Sequence, residues 1–366
     1  MSSLQSAYDN IMSAICSEDL FGPISGGELS EKLKTLNDRY KRLAETVDPG
    51  AFVENLDDQE LAKEAFQRVQ QFYDRAKQKL EIGIYGQRLD EHLSASAITT
   101  SKRTYFVEDV IAQGDIATIY KGGCIGGDDF AGQVAIKIVN DKADNDLATN
   151  EKRVLTLFKN NPGKQSKHLP FILDDFVTTD GRVGLVMRYL EGYTLYQVRD
   201  NPRYREGVPQ KHAVWMMNRL LSVVGFAHSL GILHNNIEPG NCLIQPIPHN
   251  LLLLDWTAAV VDPKQTGEQY LLYNEEFNAP EVKEKLIPLP SSDLYSIGKV
   301  MIFLLGGDLS MNTFPSDVEL ELQNFLHYFV LPSGLQRPQD AWQMHGQLIK
   351  LVESLWGPRK YLEFPM

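Results

Sequence analysis

The chain has 366 residues, 43% of them apolar and 23% charged, which is enough for two or three domains with real cores. Its net charge of −12 argues against broad charge-driven binding to nucleic acid or to anionic membrane surfaces. Three scattered cysteines, Cys16, Cys124 and Cys242, show neither metal-ligand spacing nor an even count, so a reducing, cytoplasmic setting is expected.

The first twenty residues carry no basic stretch leading into an apolar run, so no secretory signal is expected. The longest apolar runs, such as Val300 to Leu305, are far too short to span a bilayer. Residues 1–95 read as a helical module. From Leu29 to Thr46 the apolar positions Leu33, Leu36, Tyr40, Leu43 and Ala44 form a helical stripe. Asp48-Pro49-Gly50 ends it. From Asp57 to Ile84, Leu61, Ala65, Phe66, Val69, Phe72, Tyr73 and Ala76 recur at three and four, with charge on the other face. Two antiparallel helices joined by a loop are the simplest reading.

Gly86 to Ser101 is polar and irregular, which places a linker at residues 96–103. The pattern then changes to short β-branched runs, Tyr105–Ile111, Thr118–Lys121 and Gln133–Val139, divided by glycine-rich turns as in a meander of strands. One helix-like stretch, Asp146 to Leu157, interrupts them. After Gly192 the chain is mostly helical, Lys211 to Leu230 most clearly. Strands first and helices later make the class α+β.

The landmarks along this region come in a telling order. Gly114 to Lys121 is a turn with glycine at its start, followed by Val134-Ala135-Ile136-Lys137, then Glu151, then Leu185 to Gly192 with Met187 and Tyr189. His234 to Asn241 follows, then Asp255-Trp256-Thr257, Ala279-Pro280-Glu281, Asp293 to Gly298, and Arg337-Pro338. In order and spacing these resemble the protein kinase domain. The resemblance implies a bilobal kinase-like fold with a small β-rich N-lobe and hinge at 104–192 and a helical C-lobe at 193–366. It implies that Gly114 belongs to the loop over ATP phosphates, that Lys137 pairs the α and β phosphates, and that Glu151 holds that lysine. Met187 would be the gatekeeper and Tyr189 would lie in the hinge that receives adenine. Asn241 and Asp255 are hard oxygen donors suited to Mg²⁺. ATP or ADP with Mg²⁺ is the expected ligand, although Ala112 and Ala117 stand where the family has glycines.

Asn236 stands where the family carries the aspartate that accepts the substrate proton. An amide cannot take that proton, and loss of a general base typically costs about 10²–10⁴-fold. Glu238 replaces the lysine that neutralises the γ-phosphate. One like-charge contact there is unfavourable by about 4 kcal/mol at roughly 4 Å and an effective dielectric near 20. Glu238 is also a candidate substitute base. Asp255-Trp256-Thr257 departs from Asp-Phe-Gly, and Trp256 reads as a core residue against the regulatory helix. Thr257, Thr266, Tyr270 and Tyr273 are hydroxyls that phosphorylation could reach.

Leu36 to Ala44, Asp48-Pro49 and Ala65 to Tyr73 are similar to a J-domain, whose loop recruits an ATPase chaperone. The loop histidine is absent and Asp and Pro are in swapped order. A generic docking hairpin stays open beside this reading, and Lys32, Lys34, Arg39, Lys41 and Arg42 make its first helix locally basic. A protein partner is expected on this module. Three functions remain: a nucleotide-binding pseudokinase scaffold, a working Ser/Thr kinase with an unusual catalytic loop, and a structural block that binds no nucleotide.

Overall fold

Four helices open the chain: α1 (Ser3–Ser13), α2 (Ser17–Phe21), α3 (Leu29–Thr46) and α4 (Leu56–Glu81). The computed structural model describes residues 3–53, 56–86, 97–128, 132–247, 249–358 and 360–366. The expected hairpin is present as α3 and α4, with two further helices in front of it. Leu36, Leu61, Ala65, Val69, Phe72 and Ala76 form its core, joined by Tyr8 and Ile11 of α1. The helical spacing of these residues is what puts them on one face. Tyr40 and Tyr73 add a ring contact at 4.3 Å, and the Tyr40 hydroxyl donates to Gln70 Oε1 at 2.5 Å.

A six-stranded antiparallel sheet follows. Its strands are β1 (Ala97–Thr99), β2 (Thr104–Gln113), β3 (Ala117–Cys124) and β4 (Gln133–Val139), then, after helix α5 (Asn145–Asn160), β5 (Ile172–Val177) and β6 (Val183–Arg188). The spatial order is β1-β2-β3-β4-β6-β5. Within the expected linker 96–103, Ala97–Thr99 is therefore a strand, paired with Thr104, Tyr105 and Phe106. Residues 87–96 lie outside the described residues.

The chain divides into two units. Residues 1–148, 159–164 and 171–190 form the first; residues 149–158, 165–170 and 191–366 form the second. In the first, the helices close onto the sheet. Strand side chains alternate between faces, so Val134 and Ile136 share a face opposite Lys137. On that face Ile15, from the turn between α1 and α2, packs with Tyr105, Cys124, Val134, Ile136 and Val186. A polar staple fixes the contact. Asp128, fully buried, accepts from Ser17 N at 2.7 Å and pairs with Lys79 of α4 at 2.5 Å, while Glu18 takes the same ammonium at 2.9 Å. The Asp128 amide donates to Ile15 O at 2.9 Å.

The second unit begins with β7 (Tyr193–Thr194) and α6 (Leu195–Asp200), entered through a capping box in which Thr194 and Gln197 satisfy each other's backbone amides. α7 (Gln210–Ser229) is its most buried long helix in the first half. β8 (Ile232–Leu233), the hairpin β9 (Cys242–Gln245) and β10 (Asn250–Leu253), and β11 (Val260–Val261) frame the loops of interest. β7, β9 and β10 form one sheet, and β11 pairs with β8. The short helices α8 (Pro263–Thr266) and α9 (Pro280–Lys283) lead to α10 (Pro290–Leu304), α11 (Leu320–His327) and α12 (Ala341–Trp356). α7 packs against both α10 and α12. No helix among the described residues is long and apolar enough to cross a membrane.

Candidate functional site

In the first unit Lys137 and Met187 lie on β4 and β6, Gly114 lies between β2 and β3, and Tyr189 follows β6. Lys137 of β4 is buried and sits opposite Ile119 and Leu185. Met187 of β6 sits opposite Ala135 and Ile172. Tyr189 donates its amide to Gln133 O at 3.2 Å, and its ring meets Lys121 Nζ at 5.0 Å. Gly114 opens a tight turn closed by Gly114 N donating to Ala117 O at 3.0 Å. Ala112 is a β2 residue opposite Ile119, and Ala117 is the first residue of β3. Both alanines lie in strand pairing, Ala112 next to a register shift in the β2–β3 ladder, and a Cβ is ordinary in a strand. Asn140, which the sequence did not single out, reaches this turn. Its Nδ2 donates to Gly114 O at 2.8 Å and to Asp115 O at 3.0 Å.

In the second unit, buried Asp293 at the first turn of α10 organises the loop from His234. It accepts from His234 N and Asn235 N, each at 2.8 Å, and from His228 Nε2 at 2.9 Å. Burial pushes the carboxyl upward, but the His228 bond and the neighbouring imidazole outweigh it and hold it below the usual range. Asn235 takes up a left-handed conformation, φ 61°, to present both amides to it. His234 Nδ1 accepts from Asn236 N at 3.2 Å, and Nε2 faces Leu254 O at 3.0 Å. That pattern fits a neutral ring protonated at Nε2, and burial lowers the histidine's proton affinity. Asn236 O accepts from Asn241 Nδ2 at 3.0 Å, and Asn241 O accepts from Leu254 N at 2.7 Å. The structure therefore brings together Asn236, Asn241 and the residue preceding Asp255.

Asp255 is also left-handed, φ 58°, and its Oδ1 accepts from Thr257 Oγ1 at 2.7 Å. Trp256 is fully buried, edge-on to Phe158 of α5 at 4.7 Å and to His234 at 4.4 Å, with Nε1 donating to Leu253 O. This is the core role expected of it. Glu151 Oε1 accepts from Trp256 N at 3.1 Å. Asn150 beside it donates to Thr257 O at 2.9 Å and Ala259 O at 2.7 Å. Arg153 pairs with Glu268 at 3.3 Å, and Glu268 Oε2 accepts from Val261 N at 3.2 Å. Lys137 belongs to the first unit and Glu151 to the second.

Glu238 accepts a hydrogen bond from Asn274 Nδ2. Burial, foremost, and nearby Asp255 and Glu276 raise its carboxyl above the ordinary range, against the pull of that bond. Asn274 N donates to Asn278 Oδ1 at 2.7 Å, and Asn278 Nδ2 donates to Asn235 O at 3.3 Å. Of the hydroxyls noted in the sequence, Thr257 and Tyr270 are buried, and Tyr270 is bonded to Ser292 at 2.6 Å. Tyr273 is exposed. Arg337 meets Glu281 at 2.5 Å. Asn140, Asn150, Asn274 and Glu268 escaped the sequence reading, because a surface amide or acid gives no sign of its partner until the chain is folded.

For Mg²⁺ the donor set is one carboxylate, Asp255, and one amide oxygen, that of Asn241, whose Nδ2 is spent on Asn236. Among the described residues no cluster of three or more His, Cys, Asp or Glu could hold a metal. Mg²⁺ takes one or two protein ligands and completes its octahedron with water and phosphate.

The sheet, the loop built on Asp293 and the Glu281–Arg337 pair are features of a kinase-like fold, and the sequence comparison agrees. The profile of the protein kinase domain matches residues 105–360, and the chain belongs to that family. Curated relatives include a probable serine/threonine-protein kinase, FMP48, of Saccharomyces cerevisiae, 28% identical over 174 residues that cover 41% of this chain and 46% of the yeast protein. The serine/threonine-protein kinase PkaB of Streptomyces coelicolor is 27% identical over 214 residues, 56% of this chain and 48% of PkaB. The CBL-interacting serine/threonine-protein kinase 13 of Arabidopsis thaliana is 27% identical over 56% of this chain and 40% of its own. The matches span less than half the length of these relatives.

Proposed function

We propose that this kinase-family chain is a cytoplasmic pseudokinase: it binds ATP or ADP with Mg²⁺, transfers phosphate poorly, and serves as a scaffold or regulator. The observation that carries the reading is the loop chemistry around Asn236. The position of the general base holds an amide, and its neighbour Glu238 is a carboxylate tied to Asn274. Lys137 would engage the α and β phosphates and Glu151 would orient it; Met187 and Tyr189 would line the adenine side, and Asn241 and Asp255 would hold the metal. Bound Mg²⁺ would neutralise phosphate charge. Asn236 can orient a hydroxyl but cannot remove its proton.

The helical module would supply the protein-docking surface. On the J-domain resemblance, its α3–α4 turn, where Asp48 accepts from Gly50 N at 2.9 Å, would correspond to the chaperone-stimulating loop. The altered order of Asp48 and Pro49 favours docking over ATPase stimulation.

An active Ser/Thr kinase is the second reading. The relatives named as serine/threonine kinases favour it, and Glu238, with its raised proton affinity, would be its base. Two measurements decide. Saturating Mg-ATP at 100 times its dissociation constant stabilises a binder by about 2.7 kcal/mol; no thermal shift ends both readings. In a radiolabelled transfer assay, a silent parent with activity gained in Asn236→Asp supports the pseudokinase. Clear parental activity abolished by Glu238→Ala supports the kinase.

A further inference from the structure

We propose that Asn140 is a positioning residue that shapes the Gly114–Ala117 turn into a phosphate-facing cradle. It is one side chain beyond the Lys137 strand, and it holds the turn at four points. Nδ2 donates to Gly114 O and Asp115 O, the Asn140 amide donates to Ile116 O at 2.8 Å, and Oδ1 accepts from Thr118 Oγ1 at 2.8 Å. The Thr118 bond fixes which end of the amide is oxygen, so both donor hydrogens face the turn.

The consequence follows from peptide geometry. In a planar trans peptide the carbonyl and the next N–H point in opposite directions. Drawing the Gly114 and Asp115 carbonyls onto Asn140 turns the Asp115 and Ile116 N–H groups the other way. No acceptor among the described residues takes these two amides. Successive N–H groups presented together make an anion-binding concavity. The arrangement needs no glycine at 112 or 117, since both positions lie in strand pairing. The exposed Asp115 carboxylate opposes an incoming anion, but in solvent its effect is screened. The phosphates of the proposed nucleotide are the matching ligand, so this role rests on the nucleotide-binding reading.

The test is isothermal titration of the full chain with Mg-ADP and, separately, with adenosine. Asn140→Ala is expected to weaken Mg-ADP about tenfold, the worth of one or two hydrogen bonds, and to leave adenosine unchanged. Thr118→Val, which frees the amide to rotate while preserving the strand, is expected to give a smaller shift with the same selectivity. Equal weakening of both ligands, or of neither, in the two variants overturns the role of Asn140. A parent that binds neither ligand overturns the nucleotide reading and this inference with it. A parent that binds both, beside indifferent variants, overturns only the inference.

Discussion

Glu238 is the residue on which the two functional readings divide, and its environment makes a prediction of its own. Its proton affinity is raised by burial and by Asp255 and Glu276. For such a group, stability is fully present below the ordinary carboxylate range and is lost as pH rises through the raised folded value. At neutral pH the charged form is therefore a burden on the fold. Glu238→Gln keeps an oxygen for Asn274 and removes that charge. It is expected to raise the melting temperature at pH 7 by about 2 °C, with the gain vanishing near pH 4; a scan showing equal gain at both values would contradict the electrostatic account. Asp293 runs the opposite way. Its affinity is depressed, so its contribution is present at neutral pH and lost as acid titrates it.

At the scale of elements, α5 and the segment after Asp255 are joined by side-chain contacts. Asn150 spans two backbone carbonyls, Glu151 takes the Trp256 amide, Phe158 packs on Trp256, and Arg153 meets Glu268. The contributions are unequal. The exposed Arg153–Glu268 pair is worth about 0.2–1 kcal/mol. Asn150→Ala leaves two carbonyls to find other donors, at about 1–3 kcal/mol. Hydrogen exchange over residues 256–262 is thus expected to rise more in Asn150→Ala than in Glu268→Ala, with α12 unchanged in both. The reverse ranking would mean that the ion pair, not the amide, holds the segment. Lys137, Glu151, Asn241, Asp255, Glu281 and Arg337 were singled out beforehand because their order along the chain is a pattern. The asparagines that set the geometry were not, because an amide acts through neighbours that lie far away in sequence: Asn150 reaches Thr257 and Ala259, and Asn274 reaches Glu238.

For the whole molecule, the sequence separated a helical module from a sheet and placed a linker between them. The fold joins them through Ile15 and the Lys79–Asp128 staple. Nothing in the stretch Gly126-Gly127-Asp128 marks its acid as buried, and three-residue β1 is too short for alternation to betray it. Removing one partner of a buried pair leaves the other uncompensated, at about 3–5 kcal/mol. Asp128→Ala is expected to destabilise the first unit toward the low end of that range, since Glu18 still meets Lys79. Urea unfolding of the full chain, followed alongside Lys79→Met with Asp128→Leu, checks this: the apolar pair should recover much of the loss. Full stability in Asp128→Ala would mean that the remaining contacts between the helices and the sheet, Ile15 and the Arg103–Asp19 pair among them, suffice.

The placement of Ile15 also sets a schedule for synthesis. Its packing partners are spread from Tyr105 to Val186, and the first unit closes only with residues 171–190. At about 5–20 residues per second the ribosome needs on the order of 10–35 s to reach them. Through that interval the helical core can form by itself, yet its apolar plug has no sheet to enter. The nascent chain therefore carries Ile15 without its full set of sheet partners until most of the first half has emerged, while Lys79 has only Glu18 until Asp128 follows, a window in which a chaperone has something to hold.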